Sequence, residues 1–239
     1  MRRLLILLLL VPCLGFSQTK NVVSVTRLFP KTDKVAELEK AIAAHAQKYH
    51  MGDWKWRVYQ IQTGPDAFGY HIVEGPNSWT DFDGRGNLGA EHTADVQKNL
   101  APLTMGPGSE SYSVFRDDLS SVQPTDYADK ISITHVFQKP GWGGKIESNL
   151  KKAKKVWEKS GESVAVYQSH YSGQGQYTLV TRHKQGWKEK EKGFLKPFTD
   201  RYNEMYGENT YDDYLESIQK YTDHAWGEML TFRADLSSK

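Results

Sequence analysis

Val58-Tyr59-Gln60 opens a stretch that runs through Gly69-Tyr70-His71-Ile72-Val73 to Trp79, and the chain contains that stretch twice. Val166-Tyr167-Gln168 and Trp187 repeat its two ends, each 108 positions on (58 to 166, 79 to 187). Between them Gln176-Tyr177-Thr178-Leu179-Val180 answers the middle, one residue out of register. Working outward, Ser24-Val25-Thr26-Arg27-Leu28-Phe29 matches Ser132-Ile133-Thr134-His135-Val136-Phe137, again 108 apart. Phe115-Arg116-Asp117-Asp118-Leu119-Ser120-Ser121 matches Phe232-Arg233-Ala234-Asp235-Leu236-Ser237-Ser238 at 117. Three matches in one order mark a duplicated unit of about a hundred residues, a usual domain size.

In the first unit, residues 22–29 alternate and are rich in β-branched side chains, which predicts a strand ended by Pro30. Asp33 and Glu37 suit a helix start. Val35, Leu38, Ile42, His45 and Tyr49 then recur at spacings of three and four, one apolar helix face, with Gly52 as its stop. Residues 54–63 and 67–74 read as two strands joined by the turn Gly64-Pro65-Asp66. Trp79 and Phe82 suit a short helical turn, and Asp83-Gly84-Arg85-Gly86 a flexible loop. His92, Val96, Leu100 and Leu103 mark a second amphipathic helix before a strand at 111–116. The order is β-α-β-β-α-β, the ferredoxin-like arrangement.

The second unit restarts at Ile131. Ile146, Leu150, Ala153 and Trp157 each lie 108 after Leu38, Ile42, His45 and Tyr49. Phe194, Phe198, Tyr202 and Met205 each lie 102 after His92, Val96, Leu100 and Leu103. The expected organisation is a signal peptide at 1–17, a first repeat at 18–119, a linker at 120–129 and a second repeat at 130–239. The second repeat carries an extra helix at about 209–220, with Tyr211, Tyr214, Leu215 and Ile218 on one side.

Met1-Arg2-Arg3 followed by an apolar run to Phe16 has the form of a secretory signal, so a secreted or periplasmic protein is expected. The run is shorter than the roughly 20 residues a spanning helix needs, so no membrane span is expected after cleavage. Cys13 is the one cysteine, which leaves the mature chain without disulfides or thiolate ligands. The formal charge of +2 gives no global field for nucleic acid, and no nucleic-acid partner is expected. Lys151, Lys152, Lys154 and Lys155 flank an apolar stripe and read as a solvated face.

The element order, the duplication and the Val-Tyr-Gln…Gly…Tyr…Trp series resemble the dimeric α+β barrel superfamily. That family includes cofactor-free monooxygenases, stress-responsive barrel proteins and, in duplicated form, haem proteins such as chlorite dismutases and dye-decolourising peroxidases. The resemblance implies an α+β fold in which two ferredoxin-like repeats pair their sheets as an internal pseudo-dimeric barrel. It also implies a ligand pocket between a sheet and its helices. One fold hosts many functions, so the reaction must be argued from the site.

His45 and His92 sit on the sheet-facing stripes, where the copy has Ala153 and Phe194. They are therefore either satisfied core residues or a site special to the first repeat. As a site, they would act as base or hydrogen-bond donor to a substrate oxygen. Arg27 and His71, on strands, could join them, with Arg27 meeting developing negative charge. Arg27 answers to His135, so that strand position is polar twice, and an interior charge needs a partner or a ligand. Trp54, Trp56, Tyr70 and Trp79 could wall such a pocket or simply pack in the core.

A haem of the family kind would call for an axial histidine in the second repeat's helices. Residues 143–160, 188–206 and 211–220 hold none, so the sequence argues against haem. It argues against a metal as well. His45 and His50 do not share a helical face, and no His-Glu-x-x-His is present. No cofactor is expected. Gly-x-Ser-x-Gly is absent, and so is any phosphate-binding loop.

The expected function is binding of a small apolar or aromatic molecule in the first repeat's sheet–helix cavity. Two alternatives remain: cofactor-free oxidation or isomerisation in the same cavity, and an envelope interaction protein using exposed Tyr211 and Tyr214. A cavity touching both His45 and His92 separates the first two from the third.

Overall fold

The computed structural model describes residues 19–106 and 108–239; the expected signal peptide, 1–17, lies outside them. In chain order the first half forms β1 (Val22–Leu28), α1 (Val35–Tyr49), β2 (Trp56–Ile61), β3 (Tyr70–Asn77), α2 (Trp79–Arg85), α3 (Ala90–Asp95) and β4 (Ser109–Phe115). The second half forms β5 (Lys130–Gln138), α4 (Gly143–Ser160), β6 (Val164–Ser169), β7 (Gln176–Arg182), α5 (Phe198–Tyr206), α6 (Thr210–Tyr221) and β8 (Thr222–Phe232). Among the described residues no helix is long and apolar enough to cross a membrane.

Each half makes a four-stranded antiparallel sheet, β4-β1-β3-β2 and β8-β5-β7-β6. Their edges join through β2–β8 and β4–β6, so eight strands close into one barrel. Closure leaves no sheet edge open. Side chains of alternate parity then face either the barrel interior or the helices outside. On β1, Val23, Val25 and Arg27 point inward, and Ser24, Thr26 and Leu28 point toward the helices.

The repeated Phe-Arg-x-Asp-Leu-Ser-Ser segment explains why both halves need each other. After β8, Ser237 and Ser238 accept hydrogen bonds from the N–H groups of Val58 and Trp56 on β2, both at 3.0 Å. After β4, Ser120 and Ser121 accept from Val166 and Val164 on β6, at 2.8 and 2.9 Å. Each half thus ends on the other's second strand. Arg233 binds Glu39 at 2.6 Å and Arg116 binds Glu147 at 2.7 Å, with Tyr70 and Tyr177 donating to the same carboxylates.

Three details differ from the sequence expectation. Helix α1 starts after Lys34 without a side-chain cap, so Asp33 does not cap it, and it ends at Tyr49, before His50. Arg85 belongs to α2 rather than to a flexible loop: Ser78 and Asp81 form a capping box, and Arg85 pairs with Glu74. Helix α5 begins only after Pro197, which suits a helix boundary, so Phe194 falls off the stripe and is 38% exposed.

The extra helix is a plug rather than a contact surface. Tyr214 is buried and Tyr211 half-buried, both packed with Phe198 and Tyr202 in the core under the second sheet. This corrects the expectation of exposed tyrosines: the polar residues of α6 face out and its aromatic face turns in.

Candidate functional site

The candidate residues divide by strand parity. Arg27 and His71 are neighbours across the β1–β3 pair and face the barrel interior. They line a cavity of about 300 Å³ there. Arg27 makes a two-pronged ion pair with Glu228 and a second pair with Asp66 at 2.5 Å. Gly64, in the left-handed region and packed against the backbone of Gly227, turns the β2–β3 hairpin so that Asp66 reaches Arg27. His135 also binds Glu228, at 2.9 Å. Burial alone would raise the Glu228 carboxyl, but hydrogen bonds from His135 and Arg27 outweigh it and hold it at about 2. Burial, then the Arg27 charge, pushes His71 down to about 3, so it is neutral. The sequence expectation grouped Arg27 and His71 with His45 and His92; the sheet lies between the two pairs.

On the helix side of the first sheet lies a second cavity, of about 450 Å³. His45, His50, Trp56, Glu74, Arg85 and His92 supply its polar wall, and Leu28, Phe82, Val96 and Leu100 its apolar wall. His45 and His92 do meet here, with ring centroids 4.8 Å apart. His45 comes from the sheet-facing stripe of α1 and is fully buried. Its Nδ1 lies 2.7 Å from Asp95 of α3, three residues after His92 and so on the same helical face. His50 stands just past the end of α1, where the chain leaves the helix and folds the imidazole back onto Trp56, stacked at 3.9 Å. Its Nδ1 lies 2.6 Å from Glu74, which also accepts from Trp56 Nε1 at 3.2 Å and pairs with Arg85. Right after α3, the chain forms one π-helical turn, Val96–Leu100, a feature often found beside functional sites.

Burial holds all three imidazoles below their ordinary value, against the raising effect of Asp95 on His45 and of Glu74 on His50. Neutral rings with Nδ1–H given to a carboxylate leave Nε2 as a lone pair. Nε2 of His45, His50 and His92 is buried and has no partner among the described residues. Three unpartnered ring nitrogens and a guanidinium at one end of an apolar cavity can accept a proton, bind an ion or steady negative charge.

Of the expected aromatic wall, Trp56 lines the cavity. Trp54 packs behind it on Phe82 and under Arg85. Tyr70 is core, beside Leu38 and Ile42, and Trp79 lies 40% exposed against Tyr112 and His170. Sequence reasoning missed His50, Glu74, Arg85 and Asp95. Glu74 had a signal: it shares the parity of Tyr70 and Ile72, an acid on the buried side of a strand.

No protein-family model matches the chain, and no curated protein matches its sequence. Solved structures do match. An anthrone oxidase-like protein superimposes with a TM-score of 0.57 at 10% identity, over 90% of this chain and 92% of its own. A candidate monooxygenase from Lactobacillus acidophilus gives 0.54 at 10% identity, over 91% and 95%. A candidate chlorite dismutase gives 0.54 at 10% identity, over 90% and 95%. The chain shares the α+β barrel fold of these proteins, built here from two halves of one chain. At such identities the likeness is one of fold.

The shared fold corrects one expectation, that haem is unlikely. A candidate chlorite dismutase has this α+β barrel over nearly its whole length. The second repeat's helices hold no histidine. Three histidines, His45, His50 and His92, line the first repeat's cavity, and it is their ring nitrogens that would hold a haem iron there.

Proposed function

We propose that the protein binds a small, largely apolar molecule in the sheet–helix cavity of the first repeat, and that catalysis in that cavity is its second capacity. One observation carries this reading: of two equivalent places in a duplicated fold, one is kept open and the other is filled. By the 102-residue offset Phe198 and Tyr202 answer to Val96 and Leu100, and Tyr214 of α6 packs against them in a filled core. In the first, the smaller side chains line about 450 Å³. An apolar cavity with a few convergent polar groups is the usual form of a ligand site. Phenols, quinones and other aromatics with one or two oxygens suit it, the ring against Phe82, Val96 and Leu100 and the oxygen toward His45, His50, His92 and Arg85. Oxidation of such a molecule is supported by fold neighbours described as a candidate monooxygenase and an anthrone oxidase-like protein. Haem is a further occupant favoured by a specific observation, the unpartnered imidazole nitrogens. It would supply redox chemistry to the same small molecule.

The test uses the second repeat's own plug. Thermal-shift screening against phenols, quinones, lipids and haem is run on the protein and on Leu100→Tyr. Ligand-induced stabilisation in the protein and its loss in the plugged variant are expected. Stabilisation of equal size in both variants overturns the reading.

A further inference from the structure

His45, His50 and His92 each bring one ring nitrogen to within 4.8 Å of the other two. Their Nε2 atoms are all buried and find no hydrogen-bond partner among the described residues, which costs each of them its hydration. A cation among the three rings removes that cost. We propose that His45, His50 and His92 bind one divalent first-row transition-metal ion of the cobalt-to-zinc series.

The surroundings fit that assignment. A metal-binding imidazole commonly gives its other N–H to a carboxylate, which fixes tautomer and ring orientation. His45 has Asp95 at 2.7 Å and His50 has Glu74 at 2.6 Å in that role. Both carboxylates are themselves held: Asp95 accepts from Asn99 at 2.8 Å, and Glu74 from Trp56 at 3.2 Å. Arg85 pairs with Glu74 and lies 3.1 Å from His50 Nδ1, so it offsets one of the two acidic charges. Around a tetrahedral ion with bonds of about 2.0–2.1 Å, the nitrogens sit roughly 3.3 Å apart. The ring nitrogens therefore close in on binding. His92 is the ligand free to do so, being half-buried and on a six-residue helix, whereas His45 and His50 are locked.

The duplicated sequence is a control. Positions 153 and 158, which answer to 45 and 50, hold Ala153 and Glu158, and α4, α5 and α6 hold no histidine, so the second repeat lacks the ligand set. Three protein ligands leave the ion an open position toward the cavity. A water or the oxygen of a phenol or enol fits there, and the ion, in place of the free imidazoles, takes up its negative charge. The substrate class of the cavity narrows accordingly, to apolar molecules with an oxygen that can bind a metal.

This inference rests on the cavity reading above, and the two fail separately. The chain is stripped with a chelator and titrated with Co(II), following visible absorption, then with Zn(II) as competitor. One equivalent of Co(II) with ligand-field bands, displaced by Zn(II), is expected. His92→Gln should abolish the bands, and Asp95→Asn should weaken binding about 10–100-fold. His92 lies on a half-exposed helix, so its variant should keep the melting temperature of the metal-free protein; His50→Gln is the second variant if it does not. Absence of stoichiometric binding, binding unchanged in both histidine variants, or a stoichiometric haem band in the purified protein overturns the metal centre. Stabilisation of the metal-free protein by a phenol, lost in Leu100→Tyr, keeps the cavity reading standing whichever way the titration falls.

Discussion

Nη2 of Arg27 lies 3.5 Å from Nε2 of His135, its own counterpart in the second repeat. Equivalent positions of a duplicated chain touch only where the pseudo-twofold axis passes between them, at the middle of the barrel. Glu228 bridges the two, with its side chain fully buried. Glu228→Gln keeps the size and removes the charge, leaving Arg27 in the interior with Asp66 alone. Breaking a buried ion pair from one side costs about 3–5 kcal/mol. Urea unfolding of the variant should show a loss in that range. A loss below about 1 kcal/mol would mean that water reaches the cluster freely.

The same cluster sets an acid limit. Unfolded, His71 takes a proton near its ordinary value of 6.5; folded, it refuses one down to about 3. Unfolded, Glu228 titrates at 4.5; folded, at about 2. Over both windows the unfolded chain binds more protons, so stability falls as pH falls, first from 6.5 downward and again below 4.5. The urea midpoint should therefore drop between pH 6.5 and 4.5, and less steeply in His71→Gln. His45, His50, His92 and His183 are lowered too and keep part of the slope. Identical slopes with and without His71 would contradict its neutral state.

The exchanged tails make a matched pair of tests. Arg233 with Glu39 and Arg116 with Glu147 are the same device used in opposite directions across the two halves. Arg233→Met and Arg116→Met should each cost about 1–3 kcal/mol, the worth of hydrogen bonds to charged groups. The two losses should agree closely. One neutral variant beside one damaging variant would show that the halves are held together from one side only.

Tyr214 separates packing from function. Tyr214→Ala empties part of the second repeat's filled core and should cost about 3–5 kcal/mol, as for other large aromatics. Binding of small molecules in the first repeat should be unchanged, because Tyr214 packs under the other sheet. Loss of that binding at preserved fold would move the site into the second repeat.

Much of the fold was legible because duplication writes the pattern twice. Ser24–Phe29 and Ser132–Phe137 show one alternation, and the stripes of α1 and α4 share one offset. The mutual docking of the Phe-Arg-x-Asp-Leu-Ser-Ser tails was not legible, since a repeat reports likeness and not partner. Half of the site was visible in His45 and His92, whose counterparts are Ala153 and Phe194. His50 escaped because the i, i+4 rule assumes a continuing helix, and α1 stops at Tyr49. Arg85 escaped because the glycines around it suggest a loop, whereas the capping box of Ser78 and Asp81 just upstream starts a helix that runs through Arg85. Arg27 and His71 were grouped with the wrong cavity because strand parity, which separates them from the helix side, was not carried through.

The central claim is that the first repeat's cavity is a histidine-lined site built to hold an ion and a small molecule together. Anomalous scattering at the zinc edge, from crystals grown with one equivalent of zinc, tests it most directly. One strong peak within bonding distance of Nε2 of His45, His50 and His92 is the expected result. A zinc peak bound by other residues, or none in that cavity, would contradict it.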